Sequence, residues 1–128
     1  MQVELVSPER ILYSGEADMV VCRTIGGGEV AFLSGHAPFL GALDISRVKI
    51  KGTSEAGDLV AAVHGGFVHV RDDKVIVLSD VAELADQIDV ARAQRARDGA
   101  GDDADAHRRA EVRLDVAGGG ARSGASAH

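Results

Sequence analysis

The residue best placed to do chemistry is His36, in the corner Gly35-His36-Ala37-Pro38. Glycine permits an unusual backbone there, while proline fixes its own φ and pushes Ala37 into an extended conformation. An imidazole on so rigid a corner can serve as a general base, a metal ligand or a contact for another protein, or it can hydrogen-bond the backbone beside it. Base chemistry also needs a nucleophile and a group that orients the base. Cys22 or Ser34 with His36 or His64 supplies the first pair, but the sequence offers no third group. His36 is therefore read as a structural or contact residue.

The other candidates fall to simpler readings. Gly26-Gly27-Gly28 has the composition of a phosphate-cradling loop but lacks the Lys-Ser/Thr and the helix that should follow, so it reads as a hairpin turn. His64-Gly65-Gly66 resembles an oxyanion loop of esterases, yet the required G-x-S-x-G elbow is absent. His64 and His69 flank a glycine turn with no Cys or carboxylate cluster beside them, a poor metal pair. Asp72-Asp73 reads as a solvated turn. Asp89 and Arg92 neighbour each other on a helix and can pair there for roughly 0.2–0.5 kcal/mol. Cys22, in the apolar run Met19-Val20-Val21-Cys22, reads as a buried small hydrophobe, and as the single cysteine it forms no internal disulfide.

Short strands must carry most of these residues. Alternating apolar runs span 3–6, 10–13, 18–23, 29–33, 40–43, 47–51, 59–63, 67–70 and 75–78, with Gly and Asp turns between them. This spacing predicts a mostly β fold with α, an antiparallel β-sandwich of about ten short strands over residues 1–84. After Leu84 the composition turns to Ala, Arg, Asp and Gln. Leu84, Ile88 and Ala91 make a narrow apolar stripe for a helix ending near Arg97. A second helix from about Ala104, capped by Asp102 or Asp103, stacks Ala106, Ala110 and Leu114. The two stripes predict a helical hairpin over 85–117, and the Gly, Ala and Ser of 118–128 predict a disordered tail.

Composition narrows the function classes. Residues 1–85 hold seven Lys and Arg against twelve Asp and Glu, a net of −5, which leaves no electrostatic footprint for nucleic acid and repels anionic headgroups. No apolar run approaches the ~20 residues needed to span a bilayer, and the N-terminus does not resemble a signal peptide, so membrane association is expected only through partners. Aromatics make up 3 % of the chain, so the core must be Val, Leu, Ile and Ala, suited to a thin sheet-on-sheet interior.

Gly28-Glu29-Val30, then Gly35-His36-Ala37-Pro38, then Leu40 and Leu43 form a pattern that resembles the signature loop of the epsilon subunits of F-type ATP synthases. The resemblance continues through Leu5-Val6-Ser7-Pro8, Tyr13-Ser14-Gly15, Gly65-Gly66-Phe67-Val68, Val75-Ile76-Val77-Leu78 and Ile88-Asp89-Val90-Ala91-Arg92-Ala93. It covers about residues 1–97, with weaker similarity from Arg109 to Ala117. It implies a non-catalytic central-stalk subunit of a bacterial, proton-translocating complex, with no required cofactor. The implied partners are the gamma subunit, the c-ring and the catalytic head. The implied location is peripheral, at the cytoplasmic face of the plasma membrane. Glu29, Phe32, His36 and Pro38 would belong to the surface facing ring and stalk, where a rigid corner avoids dissipating torque.

The resemblance also bears on the helices. An Ile/Leu-Asp-x-x-Arg-Ala motif on the first of them is associated with ATP binding in some bacterial members of the family. It implies a regulatory ATP site at Asp89 and Arg92 with Glu83 upstream, and Arg109 and Arg113 could point two guanidinium forks at phosphates. The family's hairpin can fold against the sandwich or extend along gamma and block ATP hydrolysis. Here Arg108, Arg109 and Arg113 are balanced by Asp105, Glu111 and Asp115, so weak or absent inhibition is expected. The competing class is a free-standing β-sandwich module for a peptide or polymer, which should expose aromatic platforms that this chain lacks.

Overall fold

The computed structural model describes residues 1–54 and 56–120. Ten strands form: β1 (Gln2–Ser7), β2 (Arg10–Glu16), β3 (Met19–Thr24), β4 (Gly28–Leu33), β5 (Phe39–Ala42), β6 (Ile45–Thr53), β7 (Gly57–His64), β8 (Phe67–Arg71), β9 (Lys74–Leu78) and β10 (Ala82–Leu84). They make two five-stranded sheets, ordered β2-β1-β9-β8-β5 and β10-β7-β6-β3-β4. Strands covered on one face alternate: Val3 and Leu5 of β1, Val48 and Ile50 of β6, Val68 and Val70 of β8, and Val75 and Val77 of β9 interleave between the sheets. Pairing is antiparallel except between β1 and β9, which run parallel. Cys22 is buried in this core, where burial pushes its thiol up to about 12, so it is inert as expected.

Gly66 sets how β7 passes into β8. Its φ of +119° suits glycine, and a Cβ there would stand 2.0 Å from the Leu78 carbonyl. The β8–β9 hairpin closes in two residues, Asp72 and Asp73, with φ of 52° and 60°. Short polar side chains tolerate that left-handed conformation best after glycine.

The apolar stripe Leu84, Ile88, Ala91 does not lie on one helix. Leu84 pairs with Ala61 as the end of β10, and residues Ala85–Gln87 make a single 3₁₀ turn. The Asp89 carboxylate then accepts the Arg92 N–H at 3.0 Å and caps α1 (Val90–Asp98), so the helix leaves out Leu84 and Ile88 and holds only Ala91 of the stripe. Ala93 is buried instead, and Ala91 is exposed. The second helix, α2 (Ala104–Asp115), is capped by Asp103 through the Ala106 N–H at 3.0 Å and runs into a wider π-helical turn over Val116–Gly120. The hairpin lies on the outer face of the second sheet, where Val60 and Ala62 of β7 join Ile88 and Val116, with Ala85, Val112 and Ala117 packed around them. The expected tail from Gly118 meets the structure only in the end of that turn; 121–128 lie outside the described residues.

Candidate functional site

The Gly35 to Pro38 corner is stiff for identifiable reasons. Gly35 takes a φ of +84°, and the His36 N–H donates to the Leu33 carbonyl at 3.0 Å. The His36 ring meets the Ala37 carbonyl at 2.7 Å through Nδ1, which must therefore carry the proton. The same ring stands edge-on to Phe32 at 4.8 Å, and Phe32 lies tilted against Phe39 at 5.3 Å. From the β8–β9 turn, Asp73 accepts from the Ser34 hydroxyl at 2.8 Å and the Gly35 N–H at 3.0 Å. Those two bonds hold its carboxyl below the usual range. Asp73 thus ties the corner to the opposite sheet, a role invisible in a sequence that shows only a solvated turn.

Of the four residues expected at the partner surface, Glu29 and Pro38 are exposed and His36 is half-buried. Phe32 is a correction: it is 0 % exposed, on the inward face of β4, and supports the corner from beneath. It cannot touch a partner without the sandwich opening.

A larger surface emerges on the outer face of the first sheet. Phe67 on β8 pairs with Leu78 on β9 and with Ala42 on β5; Leu78 pairs with Val6 on β1, and Val6 with Ile11 on β2. This row crosses all five strands, and Phe67, Leu78 and Ile11 are exposed on it, with Leu40 beside them. A continuous apolar row on the solvent face of a sheet is a feature that partner-binding faces carry.

The second candidate is a groove between hairpin and sandwich, a cavity of about 300 Å³ lined by Glu83, Gln87, Asp89, Arg92, Ala93, Ala96 and Arg113. Four of the five residues expected around ATP therefore converge: Glu83, Asp89, Arg92 and Arg113. Arg109 does not line the groove; it lies near enough to His64 to act on that ring's charge. Arg113 Nε donates to the Glu83 carboxylate at 2.5 Å, and Asp89 caps α1 rather than pairing with the Arg92 side chain. Arg92 makes no ion pair among the described residues, so its guanidinium is open to an anion. Gln87 closes the floor, accepting from the Leu84 N–H at 3.0 Å and from Arg10 Nη2 at 3.1 Å. Arg92 is thus the groove's unpaired cation among the described residues, sharing the lining with the Glu83 and Asp89 carboxylates, and Arg113 can join it only by leaving Glu83.

His64 and His69 are not a metal pair, since they sit on different sheets. No group of three or more His, Cys, Asp or Glu side chains among the described residues could hold a metal ion. No helix among them is long and apolar enough to cross a membrane.

Comparison with known proteins is consistent across sequence and structure. Residues 1–85 match the family model described as ATP synthase, Delta/Epsilon chain, beta-sandwich domain. The ATP synthase epsilon chain of Streptomyces griseus is 52 % identical over 116 residues, covering 89 % of this chain and 92 % of the relative. That of Streptomyces coelicolor is 48 % identical over 121 residues, covering 93 % and 96 %. Among solved structures, the fold is shared with a chain of the Euglena gracilis mitochondrial ATP synthase OSCP/F1/c-ring assembly, at a TM-score of 0.66 and 20 % identity, over 98 % of this chain and 80 % of that one. A chain of the Tetrahymena thermophila mitochondrial ATP synthase central stalk/c-ring shares it at a TM-score of 0.63 and 24 % identity, over 89 % and 92 %.

Proposed function

The chain belongs to the ATP synthase delta/epsilon family, and on that premise we propose that it couples rotation of a membrane c-ring to a catalytic head by binding a gamma-type stalk subunit. The complex is proton-translocating and bacterial, and the chain sits peripherally at the cytoplasmic face of the plasma membrane. The observation that carries this reading is the apolar row through Ala42, Phe67, Leu78, Val6 and Ile11, which offers a stalk partner an apolar seat on the sandwich. Glu29, Pro38 and the exposed edge of His36 form the corner that would rest on the ring. The subunit itself performs no catalysis. Copurification tests the docking face: a chain carrying Phe67→Asp and Leu78→Asp should no longer capture gamma, whereas Asp substitution of Val81, exposed elsewhere, should leave capture intact.

We further propose that the groove beside α1 binds a regulatory ATP. Convergence of Glu83, Asp89, Arg92 and Arg113 on one cavity supports this reading. Arg92 supplies the first phosphate contact, and the triphosphate draws Arg113 from Glu83, so binding and seating of the hairpin share one ion pair. Calorimetric titration of ATP into the full chain, repeated with Arg92→Ala, tests it; heat unchanged by the substitution would contradict it. The hairpin's balanced charge supports weak inhibition of hydrolysis, since Arg108 and Arg113 are already paired with Asp44 and Glu83 of the sandwich.

A further inference from the structure

His64 is buried beneath the hairpin with neither ring nitrogen hydrogen-bonded. Its side chain is 4 % exposed, at the end of β7, on the face shared with Val60 and Ala62 that α2 covers. Imidazole nitrogens left so are unusual, because an unmet donor or acceptor in the interior is costly. The groups around it explain why the ring stays neutral there. Glu83 on β10 is 3.9 Å from Nε2, but that carboxylate is already engaged by Arg113. Arg113 and Arg109 bring two positive charges from α2, and the neighbouring Arg108 is bound to Asp44. β6 contributes Ile45 across the ladder, with no charge of its own at that position. A proton on His64 would add a third positive charge to a site where the one nearby carboxylate, Glu83, is 3.9 Å away and already paired with Arg113.

We infer that detachment of the helical hairpin from the sandwich takes up one proton at His64, so that acid favours the detached hairpin. The proton comes from solvent onto a ring nitrogen, leaving an imidazolium beside a Glu83 carboxylate that Arg113 has released. While the hairpin is seated, burial first and the Arg113 charge second push His64 down to about 4. When α2 lifts, both arginines leave and water reaches the ring, which returns to the ordinary range near 6.5. A base depressed in the seated state leaves seating intact above that ordinary value and weakens it as pH falls from there towards 4. The coupling is a property of this chain alone and does not rest on the stalk or nucleotide readings.

Amide hydrogen exchange on the full chain tests it, with the opening constant of α2 read at Ala110 and Val112 and corrected for intrinsic exchange at each pH. Between pH 7.5 and 5.5 the opening constant should rise about tenfold in the wild type, and by less than roughly twofold in His64→Gln, which cannot take the proton. His107, exposed on α2 beside Glu111 at 3.6 Å, remains in that variant. A wild type that is flat over this range, or a variant that keeps the tenfold rise, overturns the proposal. Should the variant fold poorly, NMR titration of the His64 ring in the wild type decides it independently. A midpoint well below the ordinary histidine value is expected, and one at or above that value overturns the coupling.

Discussion

Phe67 and Leu78 face each other across the β8–β9 ladder with both side chains turned to solvent, 55 % and 45 % exposed. Their neighbours one position along, Val68 and Val77, are wholly buried between the sheets. The same hairpin thus contributes to the core on one face and offers an apolar seat on the other, and the two can be separated by mutation. Replacing Phe67 or Leu78 by Ser should change stability by no more than about 0.5 kcal/mol, the usual range for surface positions. Urea unfolding checks this. A loss of several kcal/mol would mean that the row belongs to the fold rather than to a partner.

Phe32 shows the opposite behaviour. Fully buried between His36 and Phe39, it should cost about 3–5 kcal/mol on truncation to Ala, from lost transfer energy and the cavity left behind. The same urea series measures it, and a cost below about 1 kcal/mol would contradict its burial.

That contrast shows where the sequence was legible. Alternation of Val30 and Phe32 against Glu29, Ala31 and Leu33 groups Phe32 with an inward face, whereas its nearness to the Gly-His-Ala-Pro corner places it at the surface; the packing follows the alternation. Nine strands are legible as short apolar runs between turn residues, and β10 is not, having only three residues. The first helix starts where the Asp89 carboxylate caps it, not where the apolar stripe begins. Glu83 and Arg113 lie 30 residues apart, and no local rule joins them; only the family pattern brought them together. His64 gave no local signal, since its burial depends on a helix packed over it from far along the chain.

The corner should respond to pH through Asp73. Its carboxyl is held below the usual range by Ser34 first and the Gly35 N–H second. A depressed acid contributes its hold above the ordinary carboxylate range and loses it as pH falls through the lowered value. The Gly35 amide, corrected for intrinsic exchange, should therefore lose protection in acid. Asp73→Ala should remove that protection at neutral pH as well, and an unchanged Gly35 amide in this variant would refute the tie.

Seating of the hairpin should be salt-sensitive. Arg108–Asp44 at 2.6 Å and Arg47–Asp115 at 2.9 Å are both partly exposed, so each is worth roughly 0.2–1 kcal/mol at low salt and less as salt rises. Arg108→Ala should raise α2 exchange at low salt and make little difference at about 1 M, where the pairs are screened. A complex assembled with a chain ending after Leu84 should hydrolyse ATP no faster than one assembled with the intact chain. A large activation would show that α2 inhibits despite its balanced charge.

The coupling role itself is tested most directly by proton-driven ATP synthesis in membranes whose complex lacks this chain. Adding the intact chain should restore synthesis, and adding the Phe67→Asp, Leu78→Asp chain should not, although it is folded. Full synthesis without the chain, or full restoration by the doubly substituted one, would contradict the account.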